Sequence, residues 1–265
     1  DAAVALGNIS QCATCTIGST GSIALTAGLN GSVNVNGAGI TSTGGAVTLT
    51  AGTNDGNVAV SAGAPVSGSG AVSLITGAAG SITIGAAVSS TGSTLTLTGG
   101  SGAAESVTIN TGVTATGNTG VAVTTPALNL NGTAALTATS NNVAIQSNGA
   151  ANALTVTMGN GSAINAAAAG GDVTFNNTTA GAITINNAGL GTINANDTVV
   201  LNGGANAVSA NVNNINGCVT GSGTTFSVAV DTGNLTIGNV STTGLTTFTN
   251  TDATVALGNI SQCAT

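Results

Sequence analysis

The sequence predicts an all-β protein folded as a right-handed parallel β-helix, a β-solenoid with turns of about 20 to 25 residues. Three observations lead to this prediction. Short apolar-polar-apolar triplets recur along the chain, Gly, Ser or Asn flanks most of them, and every second triplet in the first half is separated by about 23 to 26 residues. A double-step period of this length is typical of one turn of a coil.

The triplets are the strands of this predicted coil, because alternating apolar residues give a short strand one buried face. Long strands joined by tight two-residue turns, which a hairpin sandwich would favour, do not fit this spacing. Stacked parallel strands with right-handed crossovers fit it better. In the first half the triplets lie at Ile23–Leu25, Val33–Val35, Val47–Leu49, Val58–Val60, Val72–Leu74, Ile82–Ile84, Leu95–Leu97, Val107–Ile109 and Val121–Val123.

Beyond Pro126 the apolar positions follow one another at shorter steps, of about 10 residues. This spacing predicts turns of about 19 or 20 residues and a narrower cross-section there. The apolar positions are Leu154–Val156, Ile164, Val173–Phe175, Ile183–Ile185 and Ile193–Ala195. Asn is dense in the same region, and since Asn tolerates tight corners and stacks along a solenoid axis, we expect Asn at the corners. These residues are Asn176, Asn177, Asn186, Asn187, Asn194, Asn196, Asn211, Asn213, Asn214 and Asn216.

One stretch occurs twice, since residues 4–14 and 255–265 are identical at an offset of 251 residues. The sequence therefore predicts one repeat unit at 1–251 and the start of the next copy at 252–265. Neither end carries a recognisable cap, so we expect either further covalent repeats or subunits that stack end to end. Val4 and Val255 should then occupy the same place in the coil, about 48 to 62 Å apart along the axis.

The composition excludes several classes of function. The chain has seven acidic residues and no Lys, Arg or His. It therefore has no basic patch for nucleic acid or for an anionic membrane surface. No window approaches 18 consecutive apolar residues, so we expect no membrane span. The chain starts at Asp1 without an initiating Met or a signal peptide, which indicates a mature product or part of a longer protein.

Four runs carry a resemblance to a known class of protein: Gly21–Gly28 (GSIALTAG), Gly45–Gly52 (GAVTLTAG), Gly80–Gly85 (GSITIG) and Gly233–Gly238 (GNLTIG). They resemble the repeats of filamentous-haemagglutinin-type exoproteins and of autotransporter passenger domains. The resemblance covers most of the chain and is compositional. It implies a secreted bacterial surface β-helix and carries over no functional residue.

The residues do not predict an enzyme, a cofactor or a metal site. The seven acids are scattered, although Asp172 and Asp197 lie about one turn apart and could approach each other as a carboxylate pair. Solvent-facing acids are the favoured interpretation. Thr53–Asn57, which contains Asn-Asp-Gly, is interpreted as a turn rather than as a calcium loop. Alternating threonines such as Thr94–Thr98 are interpreted as ordinary strand propensity rather than as an ice-binding surface.

The four cysteines are disulfide candidates, Cys12, Cys15, Cys218 and Cys263, where Cys263 is the second copy of Cys12. We predict that Cys218 bonds to Cys263, or to the next copy of Cys15, and that no Cys12–Cys15 bridge forms. Two full turns would separate Cys218 from Cys263 by about 9.6 Å, which is more than a disulfide spans. A loop is therefore expected to carry one of the two cysteines along the axis.

These observations together predict a structural protein, the subunit of an extracellular β-solenoid fibre or cell-surface filament whose partners are copies of itself. The alternative is the stalk of a secreted adhesin. A polysaccharide-active or ice-binding β-helix is less favoured. Glycan attachment is compatible with ten Asn-x-Ser/Thr sequons without being indicated by them, at Asn8, Asn30, Asn131, Asn160, Asn176, Asn177, Asn196, Asn234, Asn239 and Asn259.

Overall fold

A computed structural model describes residues 7–149, 152–177, 181–186, 191–252 and 259–263. Within these ranges the chain forms 29 β-strands and no helix. The paired strands run parallel and stack as a solenoid of about ten turns. The predicted all-β parallel solenoid is therefore confirmed.

Each regular turn contains three strands, which form three faces that we call A, B and C. Face A consists of β1 (Ile9–Ser10), β4 (Val33–Val35), β7 (Val58–Val60), β10 (Ile82–Ile84), β13 (Ser106–Ile109), β16 (Ala127–Leu130), β19 (Leu154–Met158), β22 (Ile183–Asn186), β24 (Val208–Val212), β26 (Phe226–Val230) and β28 (Thr246–Asn250). Face B consists of β2 (Thr16–Ser19), β5 (Gly39–Ser42), β8 (Val66–Gly68), β11 (Val88–Ser90), β14 (Thr114–Gly117), β17 (Ala135–Ala138), β20 (Ala163–Ala166) and the first parts of β23 (Thr192–Asn202) and β25 (Asn214–Gly223).

Face C consists of β3 (Ile23–Thr26), β6 (Val47–Thr50), β9 (Val72–Ile75), β12 (Thr94–Thr98), β15 (Gly120–Thr124), β18 (Val143–Gln146), β21 (Val173–Asn176), the second parts of β23 and β25, then β27 (Leu235–Thr242) and β29 (Ile260–Gln262). The long strands β23 and β25 continue from face B to face C. The coil is therefore three-sided along most of its length.

Face B was missed by the triplet pattern in the first half of the chain. Its early strands hold one large apolar residue each, and the second inward position is occupied by a small residue such as Ser42 or Ser90, which are 2% and 0% exposed. Each buried hydroxyl donates a hydrogen bond to a backbone carbonyl, Ser42 to Gly21 (2.6 Å) and Ser90 to Gly70 (2.8 Å). Since the second inward residue is polar, no apolar-polar-apolar triplet marks the strand.

The predicted shortening of the turn directly beyond Pro126 is wrong. The triplets at steps of ten lie on successive faces, Leu154 on face A, Ile164 on face B and Val173 on face C. On face A, residues that stand opposite each other in successive turns are 24 or 25 residues apart up to β13, and further along 21, 28 and 29 residues apart. The coil contracts only later, because the last two turns of face A, between β24 and β28, are its shortest.

The interior of the coil is filled by apolar side chains from all three faces, and most strands of faces A and C turn two of them inward, as Val33 and Val35 of β4 show. Val, Ile and Leu dominate these positions, and most of them have no exposed surface. Burial of each such side chain stabilises the fold by about 1.5–3 kcal/mol. Two aromatic side chains fill the last turns, where the rings of Phe226 and Phe248 meet edge to face with centroids 6.0 Å apart.

A ladder of side-chain oxygens runs along the corner before face A. The oxygen of one residue accepts a hydrogen bond from the backbone N–H one turn on, Asn8 from Ser32 (2.8 Å), Ser32 from Asn57 (3.1 Å), Asn57 from Ser81 (2.7 Å) and Ser81 from Ser106 (3.0 Å). Each bond satisfies a backbone donor at a point where the chain changes direction. We call this row the corner ladder.

Stacked asparagines occur as predicted, although the position of some of them differs. The Asn194 amide donates to the Asn165 oxygen (2.7 Å), and the Asn216 amide donates to the Asn194 oxygen (2.6 Å). These three residues stand on strands of face B rather than at corners. Asn177 does lie between strands, where its buried amide donates to the Gly181 carbonyl (2.9 Å). Asn187 lies outside the described residues.

The two copies of the repeated stretch do not occupy the same place in the coil. Val4 and Val255 lie outside the described residues, but five residues further on Ile9 lies on face A and Ile260 on face C. The expectation of equal places is therefore wrong for the described part. Face A has eleven strands and therefore spans ten turns. β29 lies two faces further along the coil than β28, on face C.

Candidate functional site

The candidate site is the repeated segment, which is described at Asn8–Cys12 and again at Asn259–Cys263. In the first copy β1 pairs with β4, the strand that follows it along the axis. In the second copy β29 pairs with β27, the strand that precedes it. Ile9 is partly buried against the core, whereas Ile260 is 47% exposed. The same sequence therefore shows two different sets of neighbours.

Gln11 closes the first corner of the coil from an inward-facing position. It is 7% exposed, and its amide nitrogen donates to the carbonyl oxygens of Cys15 (2.6 Å) and Gly39 (2.8 Å). Its amide oxygen accepts from the N–H of Gly37 (3.2 Å). The second copy, Gln262, is exposed. The sequence analysis missed this residue, although a polar residue two positions after inward-facing Ile9 was the available signal.

The cysteines form two disulfides, Cys12–Cys15 and Cys218–Cys263. The Cys218–Cys263 pair is the first of the two predicted alternatives. The expectation that no Cys12–Cys15 bridge forms is wrong, because the turn between these residues brings their Cα atoms to 5.2 Å. Cys12 and Cys263 are the same position of the repeat, so the two copies of one cysteine have different partners.

A glycine explains how the longer bridge spans two turns of the coil. Cys218 and Cys263 lie on either side of β27, yet their Cα atoms are 5.9 Å apart. The N–H of Cys263 donates to the carbonyl of Ile237 (2.9 Å), which places it opposite Gly238. A Cβ at Gly238 would lie 2.8 Å from the Cys218 sulfur. Because β27 has no side chain there and carries an extra residue against β25, the bridge can pass over it.

The two carboxylates that the sequence places one turn apart lie at a corner of the coil. Asp172 and Asp197 lie at one corner in successive turns, where the N–H of Asp197 donates to the Gly171 carbonyl (3.1 Å). The Asp172 carboxylate accepts from the N–H of Thr198 (3.1 Å) and so acts as a corner residue. Among the described residues no group of three or more His, Cys, Asp or Glu could hold a metal ion.

The outer surface of face C carries the alternating threonines. Thr96 and Thr98 point outward from β12, but in the neighbouring turns only one of the four positions in the same two rows is a threonine. These neighbours are Ser73 and Ile75 in the turn before, and Ala122 and Thr124 in the turn after. The threonine rows are therefore interrupted. At the nearby corner, the residues Thr53–Asp55 form a turn, which confirms that interpretation of Asn-Asp-Gly.

A shallow groove of about 310 Å³ lies beside this surface, and its lining includes Thr50, Thr76, Ser101 and Asn148. Its lining holds hydroxyls, an amide and backbone groups, and no titratable side chain. The Asn148 amide is already engaged, since it donates to the Gly99 carbonyl (2.7 Å). The lining of the groove therefore offers no titratable side chain for acid-base chemistry.

In the part of the chain that the structure describes, no helix is long and apolar enough to cross a membrane. Comparison with protein families, with curated proteins and with solved structures found no match to this chain.

Proposed function

We propose that this chain is a structural unit of an extracellular or cell-surface β-solenoid fibre, built from covalent 251-residue repeats or from subunits stacked end to end. One observation carries the proposal: the same segment stands at both ends of the coil, with different neighbours in each place. An open solenoid presents unpaired strand edges at its ends, and such edges recruit further strands. The natural occupant of each edge is another copy of the same coil.

The chemistry of the chain supports a structural role outside the cell. Two disulfides fit an oxidising compartment. A chain without Lys or Arg gives trypsin-like proteases no cleavage site, which suits a durable extracellular material. The resemblance to haemagglutinin-type and autotransporter repeats agrees with this location. The Asp172 carboxylate accepts a hydrogen bond at a corner, which supports a structural role, and the proposal includes no catalytic activity.

Electron microscopy of native material tests the proposal, together with sedimentation of the purified 265-residue chain over a range of concentrations. We expect filaments, a fibre-diffraction spacing near 4.8 Å along the axis, and association of the chain that grows with concentration. Discrete particles in the native material, together with a chain that stays monomeric at every concentration, would refute the proposal.

A further inference from the structure

The two copies of the repeated segment show complementary halves of one junction. The N–H of Ile9 donates to the Ser32 carbonyl in the next turn (2.8 Å), and Ile9 stands opposite Val33. One turn before the second copy, the N–H of Leu235 donates to the Asn259 carbonyl (3.0 Å) in the same pattern. Among the described residues, the first copy is paired with the turn after it and the second copy with the turn before it.

We propose that the free edge of β29 binds β4 of a second copy of this chain, with Ile260 opposite Val33 and Ser261 opposite Asn34 of that copy. The segment Asn259–Cys263 of one copy then takes the place that Asn8–Cys12 holds in the other. In a covalent array the two segments are one and the same. Between separate chains the junction is a strand exchange. This inference rests on the proposed fibre and specifies how its units join.

The corner ladder continues through such a junction without a gap. The N–H of Asn259 donates to the Asn234 side-chain oxygen (3.4 Å), so Asn259 is attached to the turn before it. Its first-copy equivalent, Asn8, accepts from the N–H of Ser32 in the turn after it (2.8 Å). A single Asn at the junction makes both bonds, one with its backbone and one with its side chain. In a covalent array this needs no rearrangement of the backbone, whereas between separate chains β1 of the second copy leaves β4.

The junction also buries surface that the second copy exposes. Ile260 is 47% exposed, and an incoming β4 covers it as β4 already covers Ile9. Gln262 is exposed, and the incoming corner supplies the Gly39 carbonyl and the Gly37 N–H that Gln11 uses in the first copy. Three features therefore identify the partner: the strand register, the burial of apolar surface and the hydrogen bonds of one glutamine side chain.

The junction requires each unit to be rotated against the one before it. Because β1 lies on face A and β29 on face C, face A of the second copy continues face C of the first. One unit spans ten turns and two further sides, so successive units turn by about two thirds of a revolution. With strands about 4.8 Å apart, the rise per unit is about 51 Å.

Disulfide trapping in the full 265-residue chain tests the register. One preparation carries Ser261→Cys and the other Asn34→Cys, and the two are mixed under mild oxidation. Their Cα atoms should lie about 4.8 Å apart at the junction, within the range that a disulfide bridges. We expect severalfold more covalent dimer from the mixture than from either variant alone. Mass spectrometry identifies the crosslinked peptides and checks that Cys218–Cys263 stays intact.

A control pair reports stacking without rotation. In that arrangement face A continues on face A, and Ser10→Cys of one chain meets Thr249→Cys of another. A second pair, Asn259→Cys with Ser32→Cys, repeats the test of the proposed register if the first pair perturbs the edge. Dimer from either proposed pair, with none from the control pair, supports the junction.

The remaining outcomes separate the junction from the fibre. Dimer from the control pair only, or filaments with no dimer from any pair, overturns the junction and leaves the fibre proposal standing. A result with neither filaments nor dimer overturns both the junction and the fibre proposal. A fibre whose units rise by about 51 Å without the two-thirds rotation also contradicts the junction.

Discussion

The first turns of the solenoid and its last turns are held together in different ways. From β1 to β13 the corner ladder places Asn or Ser at the same point of each turn, and its members are separated by 24 or 25 residues. The last two turns of face A are several residues shorter, and the long disulfide and the Phe226–Phe248 contact hold them. Nearly constant length keeps equivalent side chains in register. Where the length changes, covalent and aromatic contacts hold the turns together.

The largest expected effect separates the regular core from the contracted end. Leu97 is fully buried on face C, whereas Leu245 near the last turn is 73% exposed. We expect Leu97→Ala to lower the free energy of unfolding by about 2–5 kcal/mol and Leu245→Ala to change it by less than about 0.5 kcal/mol. Denaturant titration of both variants measures the difference. Equal effects would contradict the burial of Leu97 and the exposure of Leu245.

The second effect concerns the disulfide of the contracted end. Cys218–Cys263 closes a loop with a separation of 45 residues, and Cys12–Cys15 one with a separation of 3. Loop-closure entropy gives the longer bridge about 4 kcal/mol and the shorter one about 2 kcal/mol. We expect Cys263→Ser to lower the denaturant midpoint more than Cys12→Ser, with the difference lost under reducing conditions. The reverse order would show that the contracted turns do not depend on their bridge.

Glycines at the regular corners give the third effect. A Cβ at Gly80 would collide with the backbone carbonyl of Gly56 one turn before, whereas a Cβ at Gly63 meets no heavy atom within 4 Å. We expect Gly80→Ala to destabilise the chain by about 3 kcal/mol, because the stacked backbones must separate. Gly63→Ala should cost about 1–2 kcal/mol, because φ is +81° there. Thermal unfolding of both compares them, and a costlier Gly63→Ala would argue against close backbone contact at the regular corners.

The smallest expected effect lies on the outer surface, midway between the two regions. Asn165 links Thr137 in the turn before to Asn194 in the turn after through side-chain hydrogen bonds of 3.2 and 2.7 Å. We expect Asn165→Ala to lower the free energy of unfolding by about 1 kcal/mol, as for a typical intramolecular hydrogen bond. The exposed Asn211, changed to Ala, serves as the control and should cost less. If Asn165→Ala lowers the free energy of unfolding no more than the control does, the stacked asparagines do not stabilise the fold.

The parallel solenoid was predicted from the sequence because apolar triplets follow short-range rules, and the long disulfide was one of two pairings that the cysteine spacing left open. The third face was not predicted, because Ser42 and Ser90 are buried polar residues whose hydrogen bonds to backbone carbonyls exist only once turns are stacked. The turn length predicted beyond Pro126 was wrong because face B had not been recognised. Two strands were counted for each turn, whereas the structure has three at steps of about ten residues.

Only part of the candidate site could be predicted from the sequence. Identity of the two segments revealed the repeat, but the face on which each copy lies depends on the summed lengths of all intervening turns, and these lengths are unequal. The role of Gly238 was also hidden, because it depends on Cys218 reaching across β27. Both are long-range consequences of stacking.

The backbone hydrogen bonds between turns run along the axis of the coil, and this direction decides how the protein would respond to mechanical tension. A pull along the axis loads one rung at a time, so turns should detach in sequence rather than together. A released turn of about 24 residues lengthens the chain by about 80 Å at roughly 3.4 Å per residue. The Cys218–Cys263 bridge withholds its 45-residue loop from that lengthening. Each unit would therefore extend turn by turn under tension, and the segment closed by the disulfide near one end would not extend.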